Sequence, residues 1–258
     1  MNLPEKHRIR AAFSRAATTY DAAAVRQREV CRALLDALTA TVGAPSSPAD
    51  ILDAGCGTGY GARLLAGQWP SARLVAADFA AAMAQKAAAT APACVADIES
   101  LPFRNRAFDL WWSSLTVQWC DPRRVLAEAV RVLRPHGRLA LSTLGPGTYT
   151  ELRQAFAGID RHRHTLDFSE PAPLAAAAET AGLAQLQIER RTITLHYPDL
   201  KTLLGAVKAI GANALGDGRR SGMMGKAAWQ ALSAAYEAQR TADGLPASYD
   251  VILLTARA

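Results

Sequence analysis

The chain has 258 residues, 50% of them hydrophobic, and a formal net charge of +6. Length and composition predict a folded protein with one main α/β domain and exclude a disordered chain. No apolar run is long enough to span a membrane and residues 1–15 lack the apolar core of a signal peptide, so we expect a cytoplasmic protein without membrane contact. The basic excess suits an acidic partner or simple solubility, and no nucleic-acid-binding motif accompanies it.

The four cysteines are spread along the chain at Cys31, Cys56, Cys94 and Cys120. No two of them form a Cys-x-x-Cys pair, the spacing typical of zinc sites and redox motifs. We therefore expect neither a disulfide framework nor a bound metal.

Two helices are predicted ahead of the first strand, over 8–20 and 21–41. The second has apolar residues such as Val30, Leu34 and Leu38 at the spacing of one helical face. A segment rich in Pro and Ser then predicts a linker into the main domain.

Residues 50–54 predict a short buried strand that runs directly into a glycine-rich turn. Glycine has no Cβ and adopts positive φ, so the backbone of such a turn can lie against a nucleoside. The strand end and the turn are therefore a candidate site for a nucleotide-like cofactor. Its residues are Asp53, Gly55, Cys56, Gly57 and Gly59.

The same turn matches the loose dinucleotide fingerprint from Gly57 onward, with Asp78 at about the usual distance. The strand nevertheless stops before Gly55, and read from there the fingerprint fails at Tyr60. Asp53 would also repel a pyrophosphate, whereas it could hold a cationic or amino-bearing ligand. These residues favour S-adenosyl-L-methionine over NAD.

Two further predicted strands end in acidic residues. The strand over 74–78 ends in Asp78, which is placed to accept hydrogen bonds from a ribose diol. The next one ends in Asp97, which suits the exocyclic amine of an adenine. We count the adjacent Phe79 and Ile98 with the cofactor residues.

A fourth predicted strand, 108–114, ends beside the first in a doubly wound sheet, where ligands bind at the switch point. Ser113 near its end and Gln118 just after it are therefore also candidates for contact with the cofactor.

Helices and strands continue to alternate after this point. Asp121 followed by proline predicts the start of a helix, and Gly137 its end, before a strand over 138–144. Residues 148–182 are predicted to be helical, with a charged interruption at 160–164.

The last two predicted strands, 185–196 and 249–255, are expected to form a hairpin. The segment between them is too long for a hairpin turn, so we interpret it as an inserted helical lid.

Taken in order, the motifs at 53–59, Asp78, Asp97 and 108–114 resemble those of the class I S-adenosylmethionine-dependent methyltransferases. The resemblance covers roughly residues 45–145. It implies a Rossmann-like α/β fold with a doubly wound, mostly parallel, seven-stranded sheet, and S-adenosyl-L-methionine as the cofactor.

A more specific resemblance extends over nearly the whole chain. Residues 13–27, 117–120 and 203–212, with Arg219 further on, look like the malonyl-acyl-carrier-protein O-methyltransferases of biotin synthesis. Residues 160–168 match this family only loosely.

The resemblance also implies a division of the chain. The helices of residues 1–45 would cap the active site of a methyltransferase domain over 46–258, and a lid at about 197–245 would help to select the substrate.

The implied reaction methylates the free carboxylate of a malonyl thioester, carried by acyl carrier protein or by coenzyme A, and so masks its charge for extension toward biotin. Such a carboxylate is ionised at neutral pH, so its attack on a methyl group requires no general base. The rate enhancement must then come mainly from alignment and desolvation.

Two residues are candidates for positioning the reactants. Arg219 could orient one carboxylate oxygen with its planar guanidinium or be a solvated lid residue, and Tyr20 could close over the methyl group or merely pack. Lys208 could face the acidic carrier protein or be an ordinary surface residue. His164 and Phe168 are candidates for lining the substrate pocket, although His164 has a structural interpretation as well.

Two other functions share the core motifs. One is a methyltransferase for a small-molecule carboxylate or carbon acceptor, which would have no use for a carrier protein. The other is a noncatalytic protein that binds S-adenosyl-L-methionine, an interpretation that the intact glycines and acids disfavour.

Overall fold

A computed structural model gives the structure of the protein and describes residues 5–40, 47–160, 162, 164–209 and 224–258. At its centre is one seven-stranded sheet. The strands are β1 Asp50–Ala54, β2 Arg73–Asp78, β3 Ala93–Val95, β4 Phe108–Ser114, β5 Leu133–Leu144, β6 Ala184–Tyr197 and β7 Leu245–Arg257.

The sheet has the order β3-β2-β1-β4-β5-β7-β6. Strands β1 to β5 pair in parallel, and β7 lies antiparallel between β5 and β6. Chain order reverses between β1 and β4, which makes the carboxyl ends of these two strands the switch point of a doubly wound sheet. The predicted fold class is confirmed.

Helices pack on both faces of this sheet. They are α1 Lys6–Ala16, α2 Tyr20–Ala23, α3 Val25–Ala40, α4 Tyr60–Gln68, α5 Ala81–Ala87, α6 Pro122–Val132, α7 Thr150–Phe156, α8 Pro171–Thr180, α9 Leu200–Ala209 and α10 Lys226–Glu237. In the described part of the chain, no helix is long and apolar enough to cross a membrane.

The two tryptophans of β4 show how the sheet is covered. Successive side chains of a strand point to opposite faces, so Trp111 and Trp112 bury their rings in different layers. Trp111 belongs to the hydrophobic cluster that includes Leu126 of α6 and Leu174 of α8. Trp112 belongs to the cluster formed with α3, α4, α7 and α10.

Most predicted strands lie where the sequence pattern places them, and β4 has the predicted bounds. Helix α6 begins as predicted, because the Asp121 carboxylate accepts a hydrogen bond from the Arg123 amide at 2.9 Å. The prediction that Gly137 ends this helix was wrong. The helix ends at Val132, and residues 133–137 instead form the start of β5, where the pairing with β4 shifts register.

The N-terminal region also differs from the prediction of two helices. It forms α1, the short α2 and α3, and the break between α2 and α3 falls at Ala24, whose ψ of 36° is not helical. Helices α9 and α10 lie between the two strands of the C-terminal hairpin. The predicted helical segment is divided into α7 and α8, and the described residues between Phe156 and Pro171 form no α-helix.

Asp250 of β7 fixes the turn that follows β5. Its carboxylate accepts hydrogen bonds from Arg190 Nε and Nη2, both at 2.6 Å, and from the Gly147 amide at 2.8 Å. A Cβ at Gly145 would lie 2.5 Å from Asp250 Oδ2, so glycine is required for this close approach. The turn leads directly into α7 and so sets the position of Tyr149.

We expect Asp250→Asn to lower the free energy of unfolding by about 1.5 to 3 kcal/mol, because one buried carboxylate holds three charge-assisted or backbone hydrogen bonds. Denaturant titration measures the change. The matched control is Glu189→Gln on the same hairpin. Glu189 also pairs with an arginine, Arg191, but this ion pair is exposed. Equal losses in both variants would contradict this account of the turn.

Candidate active site

The turn after β1 has the backbone conformation that its glycines allow. Gly55, Gly57 and Gly59 have φ values of 78°, 54° and 86°. A Cβ at Gly55 would lie 2.3 Å from Thr116 Oγ1, and one at Gly59 would lie 2.9 Å from the Cα of Ala87. The turn therefore packs against the loop after β4 on one side and against the end of α5 on the other.

Asp78, at the end of β2, holds this turn from the side. Its Oδ2 accepts a hydrogen bond from the Gly57 amide at 3.0 Å, and its Oδ1 accepts one from the Ala80 amide at 2.8 Å. Burial raises the pKa of Asp78 to about 6, although both backbone hydrogen bonds favour the carboxylate.

Asp53, at the end of β1, is even more deeply buried, with 2% of its surface exposed. Burial, and next the charge of Asp78, raises the pKa of Asp53 to about 7, while a hydrogen bond from the Ala62 amide opposes the rise. Asp53 Oδ2 has no hydrogen-bond partner among the described residues. A buried carboxylate oxygen without a donor is well placed to receive one from a cationic ligand.

Asp97 lies beyond the end of β3 and contacts the N-terminal helix. Lys6 Nζ of α1 lies 2.5 Å from Asp97 Oδ2 and 2.9 Å from Glu99 Oε2. This pair of contacts brings α1 over the end of the sheet. The side chain of Asp97 remains about one-third exposed.

These acids and glycines border two adjoining cavities. The first, which we call the nucleoside cavity, is bordered by Gly55, Gly57, Asp78, Phe79, Asp97 and Ile98, together with Lys6 and Met83. The second, the Asp53 cavity, is bordered by Asp53, Cys56, Thr58, Gln27, Arg28 and Ser114. The turn glycines Gly55 and Gly57 line both.

A third cavity lies on the other side of the β4 loop, and we call it the aromatic cavity. Its wall includes Tyr149 and Tyr249, whose hydroxyls are hydrogen-bonded at 2.9 Å. His164 stacks on Phe156 with ring centroids 3.3 Å apart and binds Asp160 Oδ1 through Nε2 at 2.7 Å. Phe168 and Gln118 also line this cavity.

Tyr20 lies where the three cavities meet, since it lines all of them. Burial is the chief cause of the raised pKa of its hydroxyl, so Tyr20 stays a neutral hydrogen-bond donor at physiological pH. Phe13, Leu115 and Trp119 form the remaining boundary between the nucleoside and aromatic cavities. Phe13 and Trp119 pack edge to face, with ring centroids 5.6 Å apart.

The structure therefore gathers most of the predicted site residues, but three of the proposed cofactor contacts line neither the nucleoside cavity nor the Asp53 cavity. Ser113 is fully buried in the sheet, and its neighbour Ser114 lines both of these cavities instead. Adjacent strand residues face opposite sides, so the serine that faces the cavities is Ser114 and not the predicted Ser113. Gln118 lines the aromatic cavity, and Gly59 supports the turn without lining either of the first two cavities.

One predicted substrate residue, Lys208, lines none of these three cavities. Lys208 is exposed near the end of α9, whereas its neighbour Val207 lines the aromatic cavity. Arg219 lies outside the described residues.

Several lining residues have no role in the sequence interpretation. Phe13 and Gln27 belong to the N-terminal pattern that carries the family resemblance, but the pattern does not show that their side chains line a cavity. Lys6, Tyr149 and Tyr249 carry no motif at all. Only the tertiary packing of α1, α7 and β7 brings them to the site.

Comparison with known proteins agrees with the fold. A family model described as "Methyltransferase domain" matches residues 52–141. The fold is similar to that of an S-adenosylmethionine-dependent methyltransferase from Thermotoga maritima, with a TM-score of 0.57, 16% identity, and coverage of 96% of this chain and 98% of that one. The fold is therefore that of the class I S-adenosylmethionine-dependent methyltransferases.

Two curated relatives are similar over nearly the whole chain. A malonyl-[acyl-carrier protein] O-methyltransferase from Dechloromonas aromatica is 50% identical over 98% of this chain and 95% of its own. The biotin biosynthesis bifunctional protein BioHC of Cellvibrio japonicus is 37% identical over 97% of this chain and 50% of its own. The chain belongs to the malonyl-[acyl-carrier protein] O-methyltransferase family.

The residues present suit S-adenosyl-L-methionine, the cofactor of this class. The glycine turn leaves room for a ligand against its backbone, and the unpaired Asp53 Oδ2 offers an acceptor to a cationic or amino-bearing group. Asp78, Phe79 and Ile98 would hold the nucleoside in the adjoining cavity.

The raised pKa of Asp53 gives a test on the ligand-free protein. In the unfolded chain this carboxyl ionises near its ordinary value of 3.8, but in the folded protein only near 7. The folded state therefore retains the proton longer, and its stability falls as the pH rises through this window. We measure the melting temperature of Asp53→Asn minus that of the unsubstituted protein. We expect this difference to increase as the pH is raised from about 5.5 to about 8.

The control is Asp50→Asn, at the other end of the same strand. Arg73 chiefly, with Arg134, lowers the pKa of Asp50 to about 2, so the stabilisation that Asp50 contributes is lost only in more acidic solution. The melting-temperature difference for Asp50→Asn should stay constant over the same pH range. A constant difference for Asp53→Asn as well would contradict the assigned burial of Asp53.

Proposed function

We propose that this protein transfers a methyl group from S-adenosyl-L-methionine to the free carboxylate of a malonyl thioester on acyl carrier protein, giving a methyl ester for biotin synthesis. The full-length similarity to the Dechloromonas aromatica enzyme, 50% identical, carries the choice of substrate. The biotin role is supported by the name of the Cellvibrio japonicus relative. The meeting of three cavities at Tyr20 supports a transfer reaction, since a donor and an acceptor must both reach one point.

The cofactor supplies an electrophilic methyl group, whose bond to sulfur breaks as a carboxylate oxygen lone pair forms the new bond to carbon. A malonyl carboxylate is already ionised at neutral pH, so no residue has to remove a proton. The task left to the chain is to align the two groups and to exclude water, and good alignment can contribute on the order of 7 to 11 kcal/mol.

Five of the predicted cofactor residues have a proposed contact. Asp78 accepts hydrogen bonds from the ribose hydroxyls and Asp97 from the adenine amine, while Phe79 and Ile98 pack against the base. Asp53 holds the methionine end of the cofactor. The positions of these side chains along one edge of the sheet support this assignment.

The aromatic cavity is proposed to receive the malonyl group. Tyr20 borders the point of transfer and keeps its hydroxyl proton, so it can donate to the reacting carboxylate without acting as a base. His164 and Phe168 line the cavity, and the Asp160 contact together with stacking on Phe156 fixes the His164 ring. Gln118, counted with the cofactor from the sequence, is assigned here to the substrate side.

Two cations remain proposals that rest on the family resemblance. Arg219 is proposed to orient one carboxylate oxygen, which leaves the other free to react. Lys208, exposed at the end of α9, is proposed to contact the acidic carrier protein. In the same way we propose that the helices of residues 1–45 cap the site and that the segment of about 197–245 closes over it as a lid.

The remaining partners follow from this assignment. We propose no nucleic-acid or membrane partner for the enzyme. We also propose that it acts in the cytoplasm, a reducing compartment, and all its cysteines are free thiols in the structure.

Intact-mass spectrometry of carrier protein incubated with enzyme and S-adenosyl-L-methionine tests the proposed reaction. We expect malonyl-carrier protein to gain the mass of one methylene and acetyl-carrier protein to gain none, since the acetyl group lacks the acceptor carboxylate. A gain on both would point to a methylated protein side chain. No gain on either, with the cofactor still bound, would reject the malonyl substrate and favour a small-molecule acceptor.

A further inference from the structure

A groove on the surface adjoins the aromatic cavity, and we call it the outer groove. It runs between the first turn of α6 and the face of α8, and its walls include Pro122, Arg123, Ser169, Leu174 and Ala177. None of these five residues lines the nucleoside, Asp53 or aromatic cavity.

The groove and the aromatic cavity adjoin each other. Gln118, Leu144 and Phe168 line both of them, so these side chains stand at the junction. The groove shares no lining residue with the nucleoside cavity. An object lying in the groove would therefore reach the aromatic cavity from the side opposite the cofactor.

The walls of the groove alternate apolar and polar groups. Val117, Leu174 and Ala177 offer apolar surface, and Gln118, Thr143 and Ser169 offer side chains that donate and accept hydrogen bonds. The Gln118 side chain is held by the Leu115 carbonyl, to which its Nε2 donates at 2.7 Å. Such a lining fits a thin, extended ligand that combines methylenes with amides.

The outer end of the groove lies near positive charge on the first turn of α6. Arg123 lines the groove there and is exposed, whereas the exposed Arg124 does not line it and its Nη1 lies 3.7 Å from Glu99 Oε2. Asp121 and Asp167 also line the groove, but the Asp121 carboxylate is engaged as the cap of α6. An anionic group at the groove mouth would meet the Arg123 guanidinium group.

We propose that the outer groove holds the amide-containing arm that links the malonyl thioester to its carrier, with the malonyl group passing between Gln118 and Phe168 into the aromatic cavity. The proposal rests on the proposed function, since it takes the substrate to be a carrier-bound thioester. A folded carrier protein cannot enter a cavity lined by buried residues such as Tyr149 and Leu152, so only a thin arm can bring the acyl group to Tyr20. The end of the arm farthest from the malonyl group carries a phosphate. This phosphate would lie at the mouth of the groove beside the Arg123 guanidinium group.

Filling the groove with a large side chain tests this route. Ala177→Trp projects from α8 into the groove, and Ala176→Trp, on the exposed surface of the same helix, is the matched control. Turnover is measured with malonyl-carrier protein, with malonyl-coenzyme A, which has the same arm, and with the malonyl thioester of N-acetylcysteamine, which has only the end of it. Adenosylhomocysteine binding and melting temperature report whether each variant is folded.

We expect Ala177→Trp to lower kcat/KM for both long-armed substrates by about tenfold or more and to leave the short thioester within about twofold. Ala176→Trp should leave all three unchanged. If Ala177→Trp lowers the melting temperature, Ser169→Trp, in the loop before α8, repeats the test from another residue that lines the groove.

Three results would overturn the route: an equal loss on all three substrates in a folded variant, a loss on malonyl-carrier protein alone, or no loss on any. The first two would assign the groove to the active site itself or to the carrier's protein surface. Failure of the proposed function looks different, because the unsubstituted enzyme would then methylate none of the three malonyl thioesters.

Discussion

The contact between Gly55 and Thr116 is the constraint on which the site depends. The turn after β1 and the loop after β4 meet at the switch point of the sheet, and the Thr116 side chain fills the space that a Cβ on Gly55 would need. Thr116 Oγ1 also donates a hydrogen bond to the Gly55 carbonyl at 3.2 Å. Because the two loops are joined in this way, the glycine turn faces the nucleoside cavity. The β4 loop contributes Leu115 and Trp119 to the boundary between the nucleoside cavity and the aromatic cavity.

This arrangement fits a reaction that needs no proton transfer. Burial raises the pKa of both Asp53 and Asp78, and Asp53 Oδ2 has no hydrogen-bond donor among the described residues, so positive charge or a donor from a ligand would favour the Asp53 carboxylate. The aromatic cavity is lined by three tyrosines, two glutamines and a histidine, which we propose orient the acceptor carboxylate. Catalysis by such a site rests on geometry, and the N-terminal helices contribute to that geometry through Lys6, Phe13 and Tyr20.

The sequence predicted which strand-end residues come together better than it predicted the walls of the aromatic cavity, for a physical reason. Acids at the ends of parallel strands share one edge of a sheet, so Asp53, Asp78 and Asp97 could be placed together from strand pattern alone. Adjacent residues of a strand face opposite sides of the sheet, and the hydrophobic sequence of β4 does not show which of Ser113 and Ser114 faces the cavities. Nor does the sequence show that α6 ends at Val132 and that residues 133–137 belong to β5, where the pairing with β4 shifts register. The Tyr149–Tyr249 pair joins residues 100 positions apart, and only tertiary packing creates it.

The most direct test of this account is a crystal structure of the enzyme with adenosylhomocysteine and a stable malonyl-thioester analogue. The account predicts adenosylhomocysteine in the nucleoside and Asp53 cavities, with its sulfur beside Tyr20 and facing the malonyl carboxylate in the aromatic cavity. A carboxylate bound elsewhere, or a sulfur separated from the aromatic cavity by the β4 loop, would contradict it.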